Sequence, residues 1–314
     1  MKQLVILSGK GGTGKTSVAA AFAHLAAAGD PPVRAVLADA DVDAANLELV
    51  LAPRPLETHE FIGGAVAVID PDKCQGCGIC AQVCRFDAIS PCHPVTPSPR
   101  YRVTVSPCHH VDPIACDGCA ACVYQCPEDA IHMTPQLAGH WYRSDSRYGP
   151  LFHAALRPAQ DNSGKLVTLV KQQARLLALD GGYDAVIVDG PPGIGCPVIS
   201  AASGADLALI VAEPTAAGIH DMERVLATVA HFRVPALACI NKADIYPAGA
   251  AQIEAYREAN GVVVAGRIPF DPTVTEAMVR GEPVTAFGPH APASQALSEI
   301  WQRVATRLLD RLER

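Results

Sequence analysis

Leu4-Val5-Ile6-Leu7-Ser8-Gly9-Lys10-Gly11-Gly12-Thr13-Gly14-Lys15-Thr16 takes an apolar strand into a glycine-rich loop and on into an alanine-rich helix. Gly9 to Thr16 fits G-x-x-x-x-G-K-[S/T] at the strand-to-helix junction that a phosphate-binding loop requires. The glycines let successive backbone N–H groups point at phosphate oxygens, and the helix starting near Gly14 adds the positive end of its dipole. Lys15 is expected at the β- and γ-phosphates and Thr16 at the Mg²⁺. The expected nucleotide-binding stretch is Gly9, Lys10, Gly11, Gly12, Thr13, Gly14, Lys15, Thr16 and Ser17. A chance match is the alternative, and the strand and helix on either side argue against it.

Lys10 puts a second lysine early in the loop. Gly9-Lys10-Gly11-Gly12 resembles the deviant Walker A motif of the MinD, ParA, Mrp and nitrogenase iron protein superfamily. The resemblance implies that Lys10 reaches the nucleotide of a facing subunit, and hence an ATP-sandwich homodimer. The helix from Lys15 to Ala28 stops at Gly29-Asp30-Pro31-Pro32, and the next buried strand, Val33 to Ala38, delivers three acids, Asp39, Asp41 and Asp43, to its carboxyl end. Open α/β sheets place their ligands there. Asp39-Ala40-Asp41 followed by Asn46-Leu47 resembles the superfamily's switch I; a solvated loop is the alternative. By that resemblance Asp41 positions or activates the attacking water and Asp39 supports the Mg²⁺ shell, with the order between them open. In-line phosphoryl transfer needs an oriented water and neutralised charge, which carboxylates near the γ-phosphate and Mg²⁺ can supply.

Further along, Tyr183-Asp184-Ala185-Val186-Ile187-Val188-Asp189-Gly190-Pro191-Pro192-Gly193 is an apolar strand ending in an acid and a rigid turn, and reads as Walker B with switch II. Asp189 is expected to hold Mg²⁺ through a water, and the Gly193 N–H to sense the γ-phosphate. Cys196, just past the switch, reads as a buried, inert thiol rather than half of a bridging cluster. Residues 206–211 and 235–240 read as two more parallel strands around a helix over 217–231. Asn241-Lys242-Ala243-Asp244 resembles the N-K-x-D of GTPases, whereas an asparagine at this strand end reads adenine in the MinD-like branch. ATP is therefore preferred, with GTP open because Asp244 is present. After a last strand over 262–267, Leu297, Ile300, Trp301, Val304, Leu308 and Leu312 recur at helical spacing. Such a stripe reads as a closing core helix in preference to a membrane anchor.

Composition changes abruptly at Gly64. Ten of the twelve cysteines lie between residues 74 and 126, in two runs: Cys74-x₂-Cys77-x₂-Cys80-x₃-Cys84 and Cys116-x₂-Cys119-x₂-Cys122-x₃-Cys126-Pro127. Strand-like residues precede each, Val66 to Ile69 and Val103 to Val105. Three thiolates two residues apart wrap one face of a cubane, and the fourth crosses to the partner cluster. One [4Fe–4S] cluster is expected on Cys74, Cys77, Cys80 and Cys126, and a second on Cys116, Cys119, Cys122 and Cys84. Zinc, the alternative, uses pairs of C-x-x-C rather than tandem triples. The runs, with Phe86-Asp87-Ala88-Ile89 and Glu128-Asp129-Ala130-Ile131 behind them, resemble the bacterial dicluster ferredoxin. Two features depart from that pattern: Arg85 stands where the family has proline, and the linker between the runs is long. Within the linker, Cys92-His93 and Cys108-His109-His110 read as reduced thiols and incidental imidazoles rather than a third metal site.

The net charge of −7, a pI near 5.9 and the absence of a basic run with interleaved aromatics exclude a nucleic-acid surface as the expectation. No leader and no apolar run of membrane-spanning length are seen, so the chain reads as soluble and cytoplasmic, with no membrane partner. Thiols kept reduced in that compartment argue against a disulfide framework. Its 314 residues are read as a mostly parallel, doubly wound α/β sheet over 1–63 and 136–314, interrupted by a small α+β ferredoxin insert at 64–135. The resemblance, which spans nearly all of the chain, implies ATP, Mg²⁺, two [4Fe–4S] clusters and dimerisation. Three functions compete: a nucleotide-switched redox or metallocluster-assembly ATPase acting on a protein partner, a cluster carrier of the Mrp type, and a MinD- or ParA-like positioning ATPase. The last has no use for eight cluster ligands, and the carrier lacks a C-terminal C-x-x-C.

Overall fold

The computed structural model describes residues 1–92, 108–158 and 163–309, and not the side chains of 257–259. The strand-like stretch 103–105, His93, Asn162 and Leu312 lie outside the described residues. The chain opens with β1 (Lys2–Ser8), α1 (Lys15–Ala28), β2 (Ala35–Asp39), α2 (Leu47–Leu51) and β3 (Arg54–Ile69). The cysteine-rich stretch holds α3 (Ile79–Val83), β4 (Ile89–Pro91), β5 (His109–Val111) and α4 (Ala121–Tyr124). Next come β6 (Ile131–Ser146), β7 (Gly149–Leu156), α5 (Ser163–Asp180), β8 (Ala185–Pro192), α6 (Cys196–Ala202) and β9 (Leu207–Ala212). The chain continues through α7 (Ala216–His231), β10 (Ala236–Asn241), α8 (Pro247–Asn260), β11 (Val263–Ile268), α9 (Pro272–Val279), α10 (Val284–Phe287) and α11 (Pro292–Leu309).

These elements form two compact units, Met1–His59 with His140–Leu156 and Ser163–Arg314, and Glu60–Gly139 with Arg157–Asn162. The composition break at Gly64 falls inside β3, and the expected return at residue 136 falls inside β6. Strand pairing depends on backbone geometry, so it runs through a point where side-chain composition changes.

In the first unit the sheet order is β11-β10-β9-β1-β8-β2-β7-β6-β3. β1 lies between β8 and β9, parallel to both, with Leu4 opposite Ile187 on one side and Leu207 on the other. β2 runs parallel to β8 and β7, and β10 parallel to β9 and β11. Strands covered on both faces are apolar throughout, which is why β1 and β8 read as unbroken runs. Leu4, Ile6, Leu37 and Ile187 share a core with α1 and α11, where the Phe22 and Trp301 rings lie 5.0 Å apart. The alternate residues Val5, Leu7, Val36, Val186 and Val188 are equally buried and must face the other side, where α5, α6 and α7 pack on the strands. The fold is therefore a mostly parallel α/β sheet with helices on both faces. In α11 the expected stripe, Leu297, Ile300, Trp301, Val304 and Leu308, is core. No helix among the described residues is long and apolar enough to cross a membrane.

The second unit is a repeat whose halves complete each other. Asp70 N donates to Ala130 O at 2.8 Å, and its counterpart Asp112 N donates to Ala88 O at 2.8 Å. Cys74 N and Cys116 N then close matching turns onto Asp70 O and Asp112 O. Asp87 and Asp129 occupy the same left-handed conformation, at φ 51° and 48°. Between the runs, β4 and β5 pair antiparallel, with Pro91 opposite His109. That pairing brings Cys92 N to Cys108 O at 2.9 Å and joins the two side chains in a disulfide. The expectation of reduced thiols here is thus corrected: antiparallel register sets two cysteines, far apart in sequence, face to face with their Cα atoms 5.5 Å apart.

Candidate functional site

β1 is buried up to Ser8, and the chain turns there because the next six residues include four glycines. Gly12 and Gly14 take φ of 76° and 93°, in the region that a side chain disfavours. Gly14 is also tightly surrounded: a Cβ there would lie 2.4 Å from Asn241 Nδ2, which donates to Thr13 O at 2.7 Å. The asparagine at the end of β10 therefore braces the loop. A pocket of about 1600 Å³, part of it open to solvent, lies over this junction. Gly11, Gly12, Gly14, Lys15, Thr16, Ser17, Asp41 and Asn241 line it, with Met278 and Val274 of α9 on a further wall.

The remaining expected residues stand behind or beside that wall. Gly9 packs on α7, where an added Cβ would come within 2.1 Å of Asp221 Cβ. Thr13 is buried. Lys10 Nζ pairs with Glu213 Oε2 at 2.9 Å, and Lys242 Nζ pairs with Glu213 Oε1 at 2.6 Å. Burial opposes ionisation of Glu213, yet the two lysines hold it below the usual carboxylate range. The Gly193 N–H, expected at a γ-phosphate, donates to Ser8 O at 2.9 Å. Cys196, expected to be buried, is exposed, because it opens the first turn of α6. Asp244, the feature that kept GTP open, accepts from Phe270 N at 2.6 Å and does not line the pocket.

The three switch acids differ sharply. Asp41 is half-buried on the pocket wall; burial raises its pKa and Lys15 pulls it back. Asp39 is fully buried and accepts from Asp41 N at 3.1 Å, Asn46 N at 3.1 Å and Leu47 N at 2.9 Å. Its oxygens are thus occupied in shaping the loop, a use the sequence reading did not anticipate. Asp189, also buried, has no hydrogen-bond partner on either oxygen among the described residues. Burial pushes its pKa up to about 7, with nearby Thr16 and Lys15 working the other way. A buried, unpaired carboxylate beside a phosphate loop fits a cation, which would supply the missing partner.

In the second unit each cysteine cavity draws on both runs. Cys74, Cys77, Cys80 and Cys126 line one. Cys84, Cys116, Cys119 and Cys122 line the other. The helices α3 and α4 start just after Gly78 and Ala120, both left-handed, and aim Cys80 and Cys122 inward, where burial raises both thiol pKa values. Cys84 and Cys126 each accept a backbone N–H at 3.4 Å, from Ala88 and Ala130. No three His, Cys, Asp or Glu side chains among the described residues converge as ligands of a single metal ion. A lining of four thiols, three from one run and one from the other, fits a multi-iron cluster.

A family model for the CobQ/CobB/MinD/ParA nucleotide binding domain matches residues 4–284. The chain belongs to that family. A protein of unknown role from Methanocaldococcus jannaschii is 34% identical over 240 residues, covering 76% of this chain and 78% of that one. The iron–sulfur cluster carrier protein of Pyrococcus furiosus is 28% identical over 159 residues, 46% of this chain and 53% of the carrier. The chain thus spans about half the length of that relative. Among solved structures, Pyrococcus horikoshii MinD with Mg-ADP superposes with a TM-score of 0.56 at 19% identity, covering 96% and 95% of the two chains. MinD in the Aquifex aeolicus MinC:MinD complex gives 0.56 at 21%, covering 97% and 96%. At these identities the structures establish the fold alone.

Two features of this CobQ/CobB/MinD/ParA domain escaped sequence reading. Glu213, which holds Lys10, sits just past β9 in Glu213-Pro214-Thr215 and carries no motif. The second is a chain of contacts from α2, His153 Nδ1 to Glu48 Oε2 at 2.9 Å and His153 Nε2 to Ser144 Oγ at 3.0 Å. Ser144 is fully buried, so the trio ties α2 to the β6–β7 hairpin and offers a substrate no access.

Proposed function

We propose that this chain is an ATP-binding and ATP-hydrolysing iron–sulfur protein working as a nucleotide-sandwich homodimer. In this reading the first unit is the switch and residues 64–135 are an inserted ferredoxin domain with two [4Fe–4S] clusters. The crossed lining of the two cavities carries the reading: each takes three thiols from one run and the fourth from the other. ATP state then governs electron transfer to, or cluster assembly on, a protein partner, because a ligand that prefers one conformation shifts the population toward it.

In the first unit the loop N–H groups and Lys15 bind and orient the triphosphate. Thr16 and Asp189 would hold Mg²⁺, which neutralises charge on the β- and γ-oxygens when bound. Asp41 orients the water, Asp39 keeps the loop that carries Asp41 in shape, and Lys10 leaves Glu213 to reach the facing subunit's nucleotide. Asn241 stands at the adenine end of the pocket wall. In the second unit the two sets of four cysteines supply thiolates, and the clusters supply one-electron chemistry when bound.

A second reading, a cluster carrier, is favoured by the names of the Pyrococcus relatives. One preparation tests both: the full chain, purified anaerobically, with iron and sulfide counted and ATP turnover measured with the clusters oxidised and reduced. About eight iron atoms per chain with turnover that changes with cluster state supports the coupled switch. Iron that passes to an apo-protein, with turnover indifferent to redox state, supports the carrier. A chain that binds no iron under these conditions refutes both.

A further inference from the structure

Three corresponding pairs that include a polar side chain differ between the two cavity walls of the internal repeat, Gln75 against Asp117, Glu128 against Phe86 and His109 against Ala67, and the last sets a ring nitrogen against a methyl group. Ala67, three residues before Asp70, lines the cavity of Cys84, Cys116, Cys119 and Cys122. The corresponding position, three residues before Asp112, is His109, and it lines the cavity of Cys74, Cys77, Cys80 and Cys126. A methyl group on one wall is thus matched by an imidazole on the other. Charge does not distinguish the walls in the same way, since each has one carboxylate, Asp117 on the first and Glu128 on the second.

His109 is held where it is. Its backbone is in register opposite Pro91, and the residue before it is cross-linked to Cys92. Its Nδ1 is shut off from solvent and has no hydrogen-bond partner among the described residues. The ring lies against the loop of the first run, its Nε2 3.7 Å from where a Cβ on Gly78 would stand. Buried polar atoms in folded proteins are paired in the great majority of cases, so an unpaired one on a ring that lines a cavity points to a partner held there. The same cavity is lined by four thiols, so the chemistry available to the ring is that of sulfur.

We propose that His109 donates a hydrogen bond to the cluster held by Cys74, Cys77, Cys80 and Cys126, and so sets its reduction potential above that of its neighbour. The proposal rests on the reading that the second unit carries two clusters. Reduction adds negative charge to the sulfurs, so an N–H directed at them stabilises the reduced form more than the oxidised one. No such donor stands at Ala67. The first electron taken from a low-potential one-electron donor, which is thereby oxidised by one electron, comes to rest on the cluster beside His109, and no proton moves. The insert has a direction built into it: one cluster receives and the other is harder to reduce.

The test is an EPR-monitored redox titration of the anaerobically purified full chain, with iron counted in each sample. Wild type is compared with His109→Ala, with volume-filling His109→Phe, and with His109→Gln, which keeps an N–H donor. Two separate midpoints are expected in wild type. The Ala and Phe variants lower the higher midpoint alone, by at least a tenfold change in the reduction equilibrium, about 59 mV for one electron. The Gln variant recovers part of the difference. Should His109→Ala lose iron, the Phe and Gln pair still separates a donor effect from a packing effect. Full iron content with both midpoints unmoved, or moved equally, overturns the proposal alone. Wild type without iron overturns the two-cluster reading, and the proposal with it.

Discussion

Asp39 and Asp189 are register partners on the adjacent parallel strands β2 and β8, both buried, and among the described residues Asp39 alone of the two has hydrogen-bond partners. Each carboxylate raises the cost of ionising its neighbourhood, after burial itself, so the pair is stable only if one charge is met from outside or carries a proton. Asp39 accepts from three backbone N–H groups, which offset only part of the rise that burial and Asp189 impose on its pKa, and Asp189 has no partner among the described residues.

The first prediction concerns pH. In the nucleotide-free protein the pKa of Asp189 is raised from 3.8 to about 7, so the folded state keeps a proton that the unfolded chain has released. The stability this group contributes is present below about pH 4 and lost as pH rises to 7, with a slope of roughly 1.4 kcal/mol per pH unit at most. Thermal melts of the metal-free, nucleotide-free protein between pH 5.5 and 7 are expected to fall with pH, and Asp189→Asn to lessen that fall, the remainder coming from Asp39, whose pKa burial also raises. In the proposed role Asp189 holds Mg²⁺ in its ionised form, so the stabilising effect of MgATP is expected to grow from pH 6 to pH 8. An effect that shrinks over that interval contradicts the assignment.

Asp39→Ala leaves three backbone N–H groups without an acceptor, in a loop that must keep Asp41 on the pocket wall. A loss of about 1–3 kcal/mol is expected in urea unfolding, together with lower turnover at saturating ATP. Stability equal to wild type shows that the loop does not depend on Asp39.

Lys10 is absent from the wall of its own chain's pocket and is paired with Glu213. Lys10→Ala is therefore expected to bind nucleotide within about twofold of wild type while turnover falls about 10³-fold, the scale of a cation supplied in trans. Equilibrium binding and steady-state turnover, read together, decide it. Loss of binding equal to the loss of turnover places Lys10 on its own nucleotide instead.

Because the cavity linings cross, removing a single cysteine at the end of a run affects the cluster of the other run. Cys126→Ala is expected to lose the Cys74, Cys77 and Cys80 cluster and Cys84→Ala the other, each leaving about four of about eight iron atoms. Cys92→Ser, which touches neither set, leaves the iron content unchanged. Iron counting with EPR checks all three; loss of the Cys116, Cys119 and Cys122 cluster in Cys126→Ala contradicts the crossing.

Local spacing carried most of the fold. The span from Lys15 to Ala28 reads as a helix because alanine at every face permits tight packing and Gly29 with two prolines stops it, and the structure gives those bounds. β1 and β8 were legible because strands covered on both sides are apolar without a break. The length of β3 and β6 was not: Arg54 to Glu60 is exposed throughout, and a strand that buries neither face over such a stretch has no hydrophobic signature.

At the candidate sites, the residue types were set by sequence alone. A loop with four glycines and a lysine, acids at strand ends and two C-x₂-C-x₂-C-x₃-C runs specify which chemistry is possible, since backbone freedom, charge and thiolate spacing are local properties. Tertiary structure alone decided which of these groups is free to act. Three carboxylates in like positions became a satisfied brace at Asp39, an open wall residue at Asp41 and an unpaired buried acid at Asp189, because burial and hydrogen bonding depend on what the rest of the chain packs around each. The pairing of Cys92 with Cys108, the tether of Lys10 to Glu213 and the turn of His109 toward one cavity are likewise contacts between residues far apart in sequence, and their partners exist only once the chain has folded.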